Sequence, residues 1–104
     1  MQVKPTPDEA QRRLRIDGAL VDDLVAAIDQ AYAEAVMVLD GYLYEDLAAV
    51  VLAGDERGIV VTADIIAAQL LLADVLVGAN DQAAKDSKRA TALTILRRHR
   101  NRGC

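Results

Sequence analysis

The stretch TADIIAAQLLLADVLV, residues 62–77, decides the fold. Thr62 is a good helix N-cap, and Asp64 stands in the first turn, where the helix dipole favours a carboxylate. Beyond that, only Gln69 and Asp74 interrupt the apolar residues. Five positions at 100° each set those two about 140° apart on the helix wheel, so the segment has no continuous polar face. A helix of this kind is expected to be surrounded by protein. A chain of 104 residues has few elements with which to enclose it, so burial against neighbouring subunits is expected. The apolar run from Ile65 to Val77 is shorter than the about 20 residues a bilayer span needs, and no membrane helix is expected.

Working outward, Thr6-Pro7-Asp8-Glu9 reads as a helix start. Thr6 caps, Pro7 suits the first helical position, and Glu9 completes a capping box; Asp17-Gly18 stops this short helix. Next, Val21, Leu24, Ile28, Ala31, Ala35 and Val38 follow a 3-4 spacing, with Val25, Tyr32 and Leu39 widening the stripe. That is a long amphipathic helix ending at Asp40-Gly41. Residues 42–61, YLYEDLAAVVLAGDERGIVV, allow two readings. Glu45-Asp46 before LAAVVLA, with Gly54 after it, favour a short helix; Val50-Val51 and Ile59-Val60-Val61 around GDERG would suit a hairpin. After a break at Gly78-Ala79-Asn80, Asp81 or Ser87 starts a last helix with Leu93, Ile95 and Leu96 on its apolar edge. The expected fold is all-α, a small bundle of about four helices with one long amphipathic helix and a variable middle loop or hairpin.

Charge divides the chain unevenly. Residues 1–84 hold 15 acidic and 5 basic groups, a net of −10; residues 85–104 hold 1 acidic and 7 basic, a net of +6. The two recover the overall −4. This asymmetry separates a helical body, 1–84, from a basic C-terminal helix and arm, 85–104, and marks the latter as an interaction segment. Cys104 is the only cysteine, so no internal disulfide can form. The N-terminus MQVKPTPDEAQRR is polar and has no apolar core of a signal peptide.

No constellation of reactive groups emerges. His99 and Cys104, each the sole residue of its type, cannot make a zinc site, and no Ser/His/Asp arrangement is available. The pairs Asp22-Asp23, Glu45-Asp46 and Asp55-Glu56 are adjacent, so in a helix their side chains diverge by about 100°. GDERG lacks the lysine and spacing of a phosphate loop. The chain reads as a non-enzyme with no cofactor and no metal.

Two stretches together resemble the head–tail connector (adaptor, head-completion) proteins of tailed double-stranded DNA phages. PTPDEAQRRLRIDGALVDDLVAAIDQAYAEA is similar to their opening: a capped short helix, an Asp-rich LRID-type stop and a long amphipathic helix. GYLYEDLAAVVLAGDERGIVVTADIIAAQLLLADVLVG resembles their middle, with a Tyr-Leu turn, a short segment and a V-T-x-D-I start into a very apolar helix. The likeness spans residues 5–78. Relatives often place aromatic and histidine residues near the end of the apolar helix, where this chain has LADVLVGANDQ.

The resemblance implies a structural virion protein of a phage or prophage, made in the bacterial cytoplasm and resident at the head–tail junction. It implies a homo-oligomeric ring of about twelve subunits, closed by head-to-tail contacts between two different surfaces of each subunit. The ring would bridge the portal protein and the tail-completion protein, around a channel through which double-stranded DNA passes without sequence-specific binding. Candidate ring-interface residues are Ile65, Ile66, Leu70, Leu72, Val75 and Leu76, with Tyr42 and Tyr44 as anchors that bury area while keeping a polar tip. Leu93, Leu96, Arg97, Arg98, Arg100 and Arg102 make a candidate portal-docking arm, arginine being suited to bidentate pairing with carboxylates. Two other readings of these arginines are complementing the negative end of the last helix and binding DNA in a small packaging accessory or regulator. A third function is that of an unrelated helical adaptor, a dimer burying residues 63–77.

Overall fold

The computed structural model describes residues 2–14, 21–78 and 81–100. The expected stop at Asp17-Gly18, the break at Ala79-Asn80, and Arg102 with Cys104 lie outside the described residues. Those described form five helices and one pair of two-residue strands: α1 (Pro7–Leu14), α2 (Val21–Leu39), β1 (Leu43–Tyr44), α3 (Leu47–Ala53), β2 (Ile59–Val60), α4 (Ala63–Val77) and α5 (Gln82–Arg98). The chain is an all-α small bundle.

α1 starts as its sequence predicts, with the Thr6 hydroxyl accepting from the Glu9 amide at 3.2 Å. The reciprocal half of the capping box is replaced, because the Glu9 carboxylate pairs one turn on with Arg13 at 3.3 Å. α2 buries Leu24, Ala27, Ile28, Ala31, Ala35 and Leu39, the 3-4 stripe of an amphipathic helix. It ends with Asp40 in the left-handed region, φ 55°, a conformation Asp adopts more readily than most side chains.

The ambiguous segment resolves as a helix carried between two strands. Asp46 caps α3, its Oδ1 accepting from the Ala49 amide at 2.8 Å, and Gly54 ends it at φ 67°, the usual left-handed stop. The hairpin alternative is not formed: β1 and β2 are parallel, with Leu43 opposite Ile59 and Tyr44 opposite Val60. Parallel strands need a crossover of about a dozen residues or more, which α3 and its flanking turns provide. Gly58 makes this closure work. A Cβ there would stand 2.8 Å from a ring carbon of Tyr44, whose hydroxyl donates to Asp55 Oδ2 at 2.9 Å.

α4 occupies the centre and is enclosed by its own chain. Ile65, Ile66, Ala68, Gln69, Leu70, Leu72 and Ala73 are buried, against α2, α5, α1 and the segment before α1. Its two polar interruptions are contacts between elements. Gln69, fully buried, donates from Nε2 to the Val3 carbonyl at 2.8 Å, and Asp74 pairs with Lys88 of α5. The expectation that α4 waits for neighbouring subunits is therefore corrected: α2 and α5 supply the cover. α5, capped by Asp81, whose carboxylate accepts from the Ala84 amide at 2.8 Å, shares with α4 the most extensive helix–helix contact of the molecule. Ala92 and Leu96 are buried in that seam. A division of the chain at residue 84 into body and arm thus cuts through the bundle itself.

Candidate interaction surface

The enclosed centre leaves apolar surface elsewhere. α3 has no buried residue, and its main packing is on β1 and β2. Leu47, Val51 and Leu52 are 68%, 72% and 91% exposed, and Tyr42, just before β1, is 64% exposed. Two helical turns of LAAVVLA are apolar on every side, so whichever face rests on the strand pair, another must face outward. An open cleft is lined by Met37, Asp40, Tyr42, Asp55 and Arg57, with Arg57 and Asp40 ion-paired at 2.7 Å. Glu45 and Glu56 flank α3 in the chain, both exposed and neither with a side-chain hydrogen bond or ion pair among the described residues.

The predicted ring-interface residues fall in different places. Ile65, Ile66, Leu70 and Leu72 are spent in the chain's own core. They are enclosed by intramolecular packing and present no surface to a second subunit. Val75 is half-buried, whereas Leu76, at the far end of α4, is exposed and borders a shallow groove with Asp23, Ala26 and Gln30 of α2. Tyr42 is on the surface. Tyr44 is half-buried, its hydroxyl engaged by Asp55, and that hydrogen bond together with desolvation raises its pKa.

The arm residues divide as well. Leu96 is fully buried and belongs to the core, whereas Leu93 is only half-buried. Arg97, Arg98 and Arg100 are exposed, without an ion pair among the described residues. Between them His99 turns inward. Its Nε2 lies 2.7 Å from Asp64 Oδ2 at the start of α4, tying the end of α5 to the end of the bundle that carries β1, β2 and α3. The Asp64 carboxylate also accepts from the Thr62 hydroxyl. These bonds, the Thr62 one foremost and the His99 one next, lower its pKa to about 2.

The platform residues Leu47, Val51 and Leu52 and the cleft residue Met37 are absent from the sequence reading. The signal was present: the argument from a missing polar face applies to LAAVVLA with more force than to residues 62–77, since a two-turn helix has no room to bury every side. Among the described residues no three His, Cys, Asp or Glu side chains converge as a metal site, and no helix is long and apolar enough to cross a membrane. No family model, curated protein or solved structure matches the chain.

Proposed function

We propose that the chain is a structural assembly protein, a head–tail connector that forms a ring between the portal and the tail-completion proteins of a tailed phage or prophage. The observation that carries this reading is the exposed apolar platform of α3. Leu47, Val51 and Leu52 are three exposed large apolar side chains on one seven-residue helix, whereas Val25, Met37 and Leu76 are spread over α2 and α4. Grouped apolar surface of this kind marks a contact with another protein. The order of motifs along residues 5–78, similar to that of connector proteins, supports the same reading. The role is non-enzymatic; DNA passes through the ring, and the mature location is the virion's head–tail junction.

A ring requires two different complementary surfaces on each subunit. The α3 platform is one; the arginine-bearing end of α5 is a further surface, suited to an acidic partner. The portal is the partner that likeness to connectors implies for that end. Electron microscopy of the protein mixed with portal rings encoded by the same genome tests the proposal. Added density of matching rotational symmetry on one face of the portal is the expected result; bare portals at saturating protein would refute it.

A second reading, a small DNA-associated packaging accessory, rests on the three exposed arginines, which make no ion pair among the described residues. It predicts retarded DNA migration that weakens steeply with salt. The net −10 of residues 1–84 opposes phosphate approach, and the arginine run has no aromatic side chain for stacking bases.

A further inference from the structure

The α3 platform has the composition of an arginine site. Its surface is aliphatic (Leu47, Val51, Leu52), an exposed tyrosine (Tyr42) immediately precedes β1, on which α3 packs, and two exposed carboxylates, unpaired among the described residues, flank the helix in the chain (Glu45, Glu56). Arginine stems cover aliphatic surface while their heads remain charged. Guanidinium groups stack on aromatic faces and pair bidentately with carboxylates. The chain itself carries the matching element in Arg97, Arg98 and Arg100, exposed at the end of α5 and without an ion pair among the described residues.

Within one chain the two do not meet. The end of α5 is held by the His99–Asp64 contact and by the His99 amide bonded to the Leu96 carbonyl at 3.1 Å. Among the described residues no ion pair joins its arginines to Glu45 or Glu56. We infer that the α3 platform of one copy receives the Arg97–Arg98–Arg100 end of α5 from a second copy. This deepens the connector reading by naming the two surfaces of the subunit contact, and it assigns the arginines to a neighbouring copy in place of the portal.

The experiment uses full-length chains with charges exchanged between the two surfaces. One variant carries Glu45→Arg and Glu56→Arg; the other carries Arg97→Glu, Arg98→Glu and Arg100→Glu. All five positions are exposed, and unchanged far-UV circular dichroism and melting establish that both fold. Sedimentation velocity at low salt and high protein concentration reads association. Wild type is expected to self-associate, and each variant alone to do so at least about tenfold more weakly, since like charges then face each other. An equimolar mixture regains association, because each arm again meets a platform of opposite sign. Variants that associate like wild type, or a mixture no larger than its components, would overturn the contact.

The same data keep the two proposals apart. Charge-dependent association that stops at a dimer upholds the contact and sinks the ring. Larger assemblies indifferent to both exchanges uphold the ring and sink the contact. Retention of the platform variant on portals together with loss of the arm variant would give the arginines to the portal and overturn the copy-to-copy assignment.

Discussion

Leu96→Ala separates core from arm most directly. Leu96 lies beside the basic run in sequence, yet it is fully buried in the common core of α2, α4 and α5. Truncating a fully buried leucine forfeits its transfer free energy and leaves a cavity, about 2–5 kcal/mol. Domains of this size are stable by about 5–15 kcal/mol in all. A loss at that level is at least about an eighth of the total, and each kcal/mol lowers the melting temperature of a domain of about 100 residues by roughly 4–8 °C. Urea titration followed by far-UV circular dichroism, with an unchanged denaturant slope, gives the number. The control is Leu52→Ala, the same chemistry at a side chain 91% exposed, expected within about 0.5 kcal/mol of wild type. A Leu96→Ala protein as stable as that control would refute the placement of α5 and restore Leu96 to a free arm. For the same reason, truncation after Ala92 removes core packing along with charge, so surface substitutions are the cleaner probe of the arginines.

Gly58→Ala pushes a methyl to 2.8 Å from the Tyr44 ring, and overpacking of this sort costs about 1–3 kcal/mol by urea titration. Gln69→Ala removes the donor to the Val3 carbonyl and opens a cavity at a fully buried site. It is expected to cost about 2–4 kcal/mol and to speed amide hydrogen exchange in α1 before that of α5. For Asp64, a folded pKa of about 2 against an ordinary 3.8 means that its contribution is complete above pH 3.8 and is lost as pH falls through about 2. Asp64→Asn should flatten that part of the acid-unfolding curve, with a small amplitude because the carboxylate is 43% exposed.

The helices were legible where periodicity and punctuation agree. Thr6, Asp46, Thr62 and Asp81 each cap the helix that the sequence suggests, because a short side chain accepting from the third amide along is a local event. The stripe of α2 was legible for the same reason. What could not be read locally is who covers whom. Gln69 and Asp74 look like flaws in an apolar helix until Val3 and Lys88 arrive from distant parts of the chain. Leu96 looks like part of a charged tail because charge is counted along the sequence, whereas burial follows the helix face. Pairing of Leu43 with Ile59 depended on a crossover whose direction no two-residue strand encodes. On the candidate surface, Tyr42 is an exposed aromatic side chain, whereas the exposure of Leu47, Val51 and Leu52 follows from how few elements cover α3, which no local sequence pattern encodes.

The shift of the apolar surface from α4 to α3 changes the energetics expected of assembly. A helix the size of α4, left bare, would make association obligatory. Three exposed side chains on α3 offer less: fully burying each contributes roughly 1.5–3 kcal/mol, a gross total of about 5–9 kcal/mol. Lost translational and rotational freedom alone takes an estimated 4–15 kcal/mol of such a sum. One platform contact between two free copies is therefore weak, even with arginine pairing added at its exposed rim. A closed ring alters the balance because every subunit then makes two such contacts, and a template that holds copies side by side supplies the lost freedom in advance. A connector with a folded, self-sufficient core and a modest sticky platform should thus persist as separate subunits when dilute and assemble where a portal gathers them. A subunit with α4 uncovered could not.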